Sequence, residues 1–307
     1  DVLGSRGLGD VYKRQDPSTG AETGAQVIRQ VYPRLGIVPG LILAPGWSQI
    51  PEVGLALAAK AAKINGVYSA MALLDLDTAK AKKYTDTKSV KEESGYTSPF
   101  CYPLWPCDRV GEYILAKSAV AGAMIQYMAS DNEDVPNQSP SNHLLGVGGQ
   151  CLEDGTEVYL DQDQANTVNG YGVTTAINQN GYRLWGNYTG AYPASSDAKD
   201  IWFAVRRMFS WQGNNFIQTY FDEVDDPMNN VLVQSVVDSE NIRCSAYAPK
   251  YWAGASIEYK SDDNPKTAIL AGTMKFRQHI APYTPAQEIV DIIDYDTDTL
   301  AAAVGGN

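Results

Sequence analysis

Histidine is nearly absent: His143 and His279 are the only two in 307 residues. Imidazole-based metal centres and proton relays have almost no material here. Cysteine is sparse as well. Cys101, Cys107, Cys151 and Cys244 contain no Cys-x-x-Cys pair, so the thiols read as inert groups in a reducing compartment. Basic residues are outnumbered, 24 Lys and Arg against 36 Asp and Glu. The formal net charge of −12 argues against a nucleic-acid partner, whose phosphates need a basic stripe. No apolar run reaches the roughly 18 residues of a membrane span, and no basic-then-apolar signal opens the chain. What remains is an ordinary globular composition, 44% hydrophobic and 20% charged. The length suits two domains, or one large one, with a substantial core.

Residues 1–15 stand apart. Asp10-Val11-Tyr12-Lys13-Arg14-Gln15 reads as the in-frame translation of a transposase adaptor used in sequencing libraries. Segment 1–15 is therefore expected to be foreign to the fold, with native sequence missing upstream. Gly7-Leu8-Gly9 then loses its claim to be a nucleotide loop.

From Asp16 helices and strands alternate. Ala21–Leu35 carries Val27, Val31 and Leu35 at helical spacing, with Pro33 as a threat to it. Ile37–Ala44 is an apolar run expected to be a strand buried on both faces. Pro51–Ile64 is an Ala-rich helix, Val67–Leu76 a strand, Phe100–Trp105 an aromatic strand and Leu115–Ala129 a small-residue helix. This alternation predicts a mostly parallel sheet with covering helices. Asp131–Ser141 reads as a surface loop. Beyond about Leu160 the pattern becomes α+β. One long helix is capped by Ser195-Ser196-Asp197, with Ile201, Val205, Met208 and Phe209 on its apolar stripe. A second starts at Asp226-Pro227, and strands follow at Ala255–Lys260, Thr273–Ala281 and Glu288–Tyr295.

Candidates for chemistry are few. A triad drawn from Ser118, His143 and Asp75 lacks a Gly-x-Ser-x-Gly elbow. Gly146-Val147-Gly148-Gly149 lacks the Lys-Ser/Thr of a triphosphate loop and reads as a turn. Asp75-Leu76-Asp77 offers two carboxylates where calcium takes six or more oxygens, so solvated strand-end acids are expected. Lys80, Lys82, Lys83, Lys88 and Lys91 suggest a positive exposed stretch, and Asp222–Asp226 a solvated helix terminus. No catalytic, cofactor-binding or metal residue is assigned. A degenerate α/β hydrolase-like enzyme is the alternative reading, and a mostly-β tail-tube or surface-array protein is a third.

Asn178–Thr189 is the most distinctive stretch. Asn180-Gly181 suits a tight hairpin turn and Gly186-Asn187 a second, around a short strand with a buried Trp185. Gly181, Arg183, Trp185, Gly186 and Thr189 together resemble the Gly-x-Arg-hydrophobic-Trp-Gly-x-x-Thr signature of contractile phage tail sheath proteins. Further islands occur in the order found in that family. They are Gly40–Gly46, Gly172-Val173, Asp263-Asn264-Pro265, Gly272, Lys275-Phe276, Pro282, Pro285-Ala286 and Glu288-Ile289.

The resemblance implies an α/β unit followed by an α+β unit: a subtilisin-like, mixed or parallel sheet with flanking helices, then a carboxy-terminal sheath domain and an extended arm. The corresponding spans are 16–160, 161–284 and 285–307. It implies a non-enzymatic, cofactor-free virion subunit, assembled in the bacterial cytoplasm. Such subunits stack as hexameric rings around a tail tube, above a baseplate, with neither nucleic acid nor membrane insertion. Residues supply a reason for the arm. Pro282 and Pro285 stiffen the chain and cannot donate ladder bonds. They free Glu288, Ile289, Val290, Asp291, Ile292, Ile293, Asp294 and Tyr295 to lend a strand to a neighbouring subunit.

Overall fold

The computed structural model describes residues 22 and 24–305, so segment 1–15 lies outside the described residues. In place of one helix over Ala21–Leu35, a 3-10 helix covers Gly24–Gln30 and α1 covers Val31–Leu35. Pro33 thereby sits in a first turn, where its missing N–H is tolerated, instead of inside a continuous helix. β1 (Leu41–Leu43) is shorter than expected and lies at a sheet edge, with Leu43 exposed. Pro39 and Pro45 flank it, and neither can donate to a ladder. α2 (Pro51–Ala62) has proline at its first position and buries Val53, Leu57, Ala58 and Ala61. β2 (Met71–Asp75) is buried throughout. α3 (Thr87–Ser94) and β3 (Cys101–Leu104) follow. β1, β2 and β3 form a parallel sheet in that order, with Leu41 opposite Met71 and Ala72 opposite Cys101, as the alternation predicts.

β4 (Cys107–Val110), β5 (Tyr113–Leu115) and β6 (Gly149–Cys151) make an antiparallel sheet in the order β5-β4-β6. Leu115 thus belongs to a strand, and α4 (Lys117–Ser130) starts after it. The Gly146–Gly149 cluster leads into β6. α5 (Gln162–Gly170) opens with a capping box between Asp161 and Gln164. β7 (Thr175–Asn178) and β8 (Tyr182–Trp185) form an antiparallel hairpin. Thr174 bridges Leu104 in parallel, so this hairpin extends the first sheet. Ala176, Leu184 and Phe203 share one core with Met71, Leu73, Tyr102 and Ile125. Residues on both sides of position 160 therefore pack together.

The expected long helix is interrupted. Asp197 caps α6 (Ala198–Ile201), Trp202 is extended, and α7 runs over Phe203–Thr219. The break follows from Trp202 pairing with Tyr188 as an antiparallel bridge. α8 (Asn230–Tyr247) starts after Asn229, whose side chain accepts from Leu232 N, and not at Asp226-Pro227. β9 (Trp252–Glu258), α9 (Lys266–Leu270) and β10 (Arg277–Pro282) follow, with β9 and β10 antiparallel. A second core joins Met208, Cys244, Tyr251 and Trp252 to Val135, which comes from the loop expected at the surface. α10 (Thr297–Ala303) is the last element. Glu288–Tyr295 forms no strand within its own chain, and Ile289 and Ile293 are 90% and 87% exposed.

Candidate functional site

Asp75 ends β2 at the amino end of α4. Its carboxylate accepts from Ser118 N at 2.8 Å, Ser118 Oγ at 2.5 Å and Ser48 Oγ at 2.9 Å. Asp75 and both serines are buried, which corrects the expectation of a solvated strand end. Ala116, the cap position of α4, has no capping side chain, so Asp75 supplies from another element the acceptor that the helix start needs. Burial pushes its carboxyl above the usual range, against the opposing pull of the Ser118 and Ser48 bonds. The structure thus joins Ser118 to Asp75 but places His143 elsewhere, in a groove beside Asn142 and Trp185. The triad does not assemble, and the Ser118 hydroxyl donates to the Asp75 carboxylate and not to an imidazole.

Next to this cluster, Lys117 Nζ donates to Asp108 Oδ1, and both side chains are fully buried. Burial pushes Asp108 upward while the Lys117 charge pulls it down. No sequence pattern marked this pair, although a lysine opening an apolar, small-residue helix was a usable signal.

The signature hairpin borders the groove that holds His143. Asn180 and Gly181 have φ of 54° and 104°, the left-handed turn read from sequence. Arg183 Nη1 donates to Asn142 O at 2.8 Å and its Nε to Gln179 O at 3.1 Å. Tyr182 and Leu184 are the buried residues of β8, whereas Trp185 is half-buried, correcting the expected buried tryptophan. Its indole donates to Asn166 Oδ1 at 2.8 Å. Gly186-Asn187 makes no second hairpin turn. Gly186 is required by close approach: a Cβ there would lie 2.5 Å from Thr174 Oγ1. Thr189, fully buried, donates from Oγ1 to Asp200 O at 2.5 Å. The signature residues are thus fasteners that tie loop 139–143, α5 and α6 to the central sheet.

Tyr188 stacks on Tyr192 at 3.8 Å between ring centroids and on Trp202 at 4.9 Å. Its hydroxyl donates to Gln287 Oε1 at 2.7 Å. Pro285–Ile289 consequently line the same groove as Trp185 and His143. The hairpin and the 288–295 segment lie far apart in sequence, and only the fold brings Trp185 and the root of that segment together. His143 is lowered by burial and then by the Arg183 charge, and it also supplies its backbone carbonyl to Leu184 N. Among the described residues no cluster of three metal-binding side chains occurs, and no helix is long and apolar enough to cross a membrane.

No family model matches the chain. It is 27% identical over 197 residues to the major tail sheath protein of Serratia phage KSP20, covering 61% of this chain and 48% of that protein. It is 24% identical over 276 residues to the tail sheath protein of Escherichia phage P2, covering 86% of this chain and 64% of that one. The chain therefore spans between about half and just under two thirds of the length of these relatives. Its fold is similar to that of the sheath complex of an extracellular contractile injection system (PVC) in the contracted state. The TM-score is 0.71 at 17% identity, over 95% of this chain and 80% of the other.

Proposed function

We propose that this chain, a relative of the contractile tail sheath proteins, is a structural subunit of a contractile sheath that polymerises helically around a tail tube and shortens to drive the tube through a host envelope. The observation that carries the reading is the similarity to a tail sheath protein along 276 residues, in agreement with the hairpin signature and the ordered islands around it. The degenerate-hydrolase alternative loses its footing because Ser118 is bonded to Asp75 while His143 lies in another groove. The subunit works by contact, in a virion tail assembled in the bacterial cytoplasm, with hexameric rings, tail tube and baseplate as its surroundings.

Two finer features belong to the same proposal. The parallel sheet β1-β2-β3 with its helices is the subtilisin-like unit, and segment 285–307 is the arm. Glu288–Tyr295 forms no ladder in its own chain and exposes Ile289, Val290, Ile292, Ile293 and Tyr295, which supports a strand held ready for another copy. The two-stranded β9–β10 sheet, with an unpaired edge on each side, is a suitable acceptor. Electron microscopy of concentrated protein tests the reading: striated hollow cylinders are expected. Uniformly small particles with esterase activity would count for an enzyme instead.

A further inference from the structure

Lys91 does not belong to the exposed positive stretch in which its neighbours sit. It is 4% exposed, and its ammonium donates to Tyr171 O at 2.9 Å and Tyr192 O at 2.5 Å. That leaves one of its three donors unused, and no carboxylate pairs with it among the described residues. A buried cation without an anion is costly. Lys91 forms part of the wall of a largely apolar hollow of about 210 Å³, together with Lys88, Glu92, Tyr171, Tyr192 and Pro193. Lys88 leans over the Tyr171 ring at 5.9 Å. The hollow offers aromatic and proline surface beside two ammonium groups, opposed by the single acid Glu92.

The chain carries a segment of complementary character. The α7–α8 loop contains Asp222, Glu223, Asp225 and Asp226, and no Lys or Arg occurs between Met208 and Ile242. Phe221 and Val224, at its tip, are each 62% exposed, so the loop does not occupy the hollow of its own chain. We infer that the Lys88–Lys91 hollow receives the acidic, apolar α7–α8 loop of a second copy of this chain. A carboxylate would reach the ammonium groups while Phe221 or Val224 covers Tyr171 and Tyr192. Hollow and loop are different surfaces, so the contact is heterologous, of the kind that builds helices and rings, and is separate from the arm. The inference rests on the sheath reading only in taking self-assembly as the setting.

A charge swap in the full chain tests it. Variant one is Lys88→Glu; variant two is Asp222→Lys with Asp225→Lys. All three positions are exposed, so unchanged thermal midpoints serve as the folding control. Each variant alone should self-associate at least tenfold more weakly than the parent by sedimentation velocity. An equimolar mixture should recover, because each variant presents the surface that complements the other. A mixture as weak as its components, or a Lys88→Glu chain that associates like the parent, overturns the contact. A weak Lys88 variant with a normal loop variant also overturns it, since the hollow would then receive another acidic segment. Cylinders from all samples would retain the sheath reading and remove this contact. A rescuing mixture that yields only small oligomers, with no cylinders from the parent, would retain the contact and remove the sheath reading.

Discussion

At Gly186 the chain passes so close to Thr174 that a Cβ would also fall 2.9 Å from the Thr174 Cα. Backbone cannot retreat as a flexible side chain can. Gly186→Ala should therefore cost about 1–3 kcal/mol, read as a lower urea midpoint. Lys91 makes a prediction of the opposite kind, in pH. Burial lowers its pKa to about 8, against the opposing influence of Cys101 and Glu92. Between that value and the ordinary lysine range the unfolded chain binds more protons than the folded one. Stability from this group consequently rises with pH from about 8 upward, as the buried charge is relieved. Denaturant titrations at pH 7 and pH 10 should show this gain in the parent and lose it in Lys91→Met. An equal pH response in both chains would remove Lys91 as its source.

At the scale of elements, polar side chains lock helices to strands. Asp75 ties β2 to the start of α4, and Lys117, one residue before Ser118, ties α4 to Asp108 on β4. Asp108 Oδ2 has no hydrogen-bond partner, so this pair is incompletely compensated. Lys117→Met should cost about 3–5 kcal/mol by stranding the buried carboxylate, whereas Lys117→Met with Asp108→Leu should recover most of that loss. Equal destabilisation of the single and double variants in urea would contradict this account. In the second core Glu240, fully buried on α8, accepts from Gln212 on α7, Arg243 on α8 and Gln278 on β10. Burial works against its ionisation, but the Arg243 and Gln212 bonds outweigh that and hold it below the usual range. Its contribution is therefore present above the ordinary glutamate range and is lost as pH falls through the depressed pKa. Asn264 joins two sequence islands in the same way, donating to Lys275 O at 2.8 Å and accepting from Lys275 N at 2.7 Å.

For the whole molecule, the exposed apolar side chains of Ile289, Val290, Ile292 and Ile293 are the patch that the proposed docking on another copy would cover. Among the described residues, deleting Pro285–Asn307 removes none of the buried cores. The shortened chain should accordingly fold with a near-parental thermal midpoint yet fail to form cylinders. Cylinders of ordinary appearance from that chain would refute the role given to the arm. In the proposed sheath, contraction calls for two subunit packings of similar stability, with the proposed strand exchange holding subunits together while domain faces slide. Shortening is expected without nucleotide, and ATP hydrolysis coupled to it in purified assemblies would contradict the scheme.

The amino-acid order by itself determined the alternation that builds β1-β2-β3, the Asn180-Gly181 turn and the family resemblance. These depend on backbone sterics and on neighbours a few residues apart, which local sequence encodes. Tertiary structure alone decided that Trp202 breaks a helix in order to pair with Tyr188, that Asp75 serves a helix start and that Lys91 turns inward to two carbonyls. It alone decided that Gln287 returns to Tyr188, 99 positions earlier in the chain. Each of those outcomes balances the cost of burying a polar group against partners supplied by distant segments, and only the folded chain brings those partners within reach.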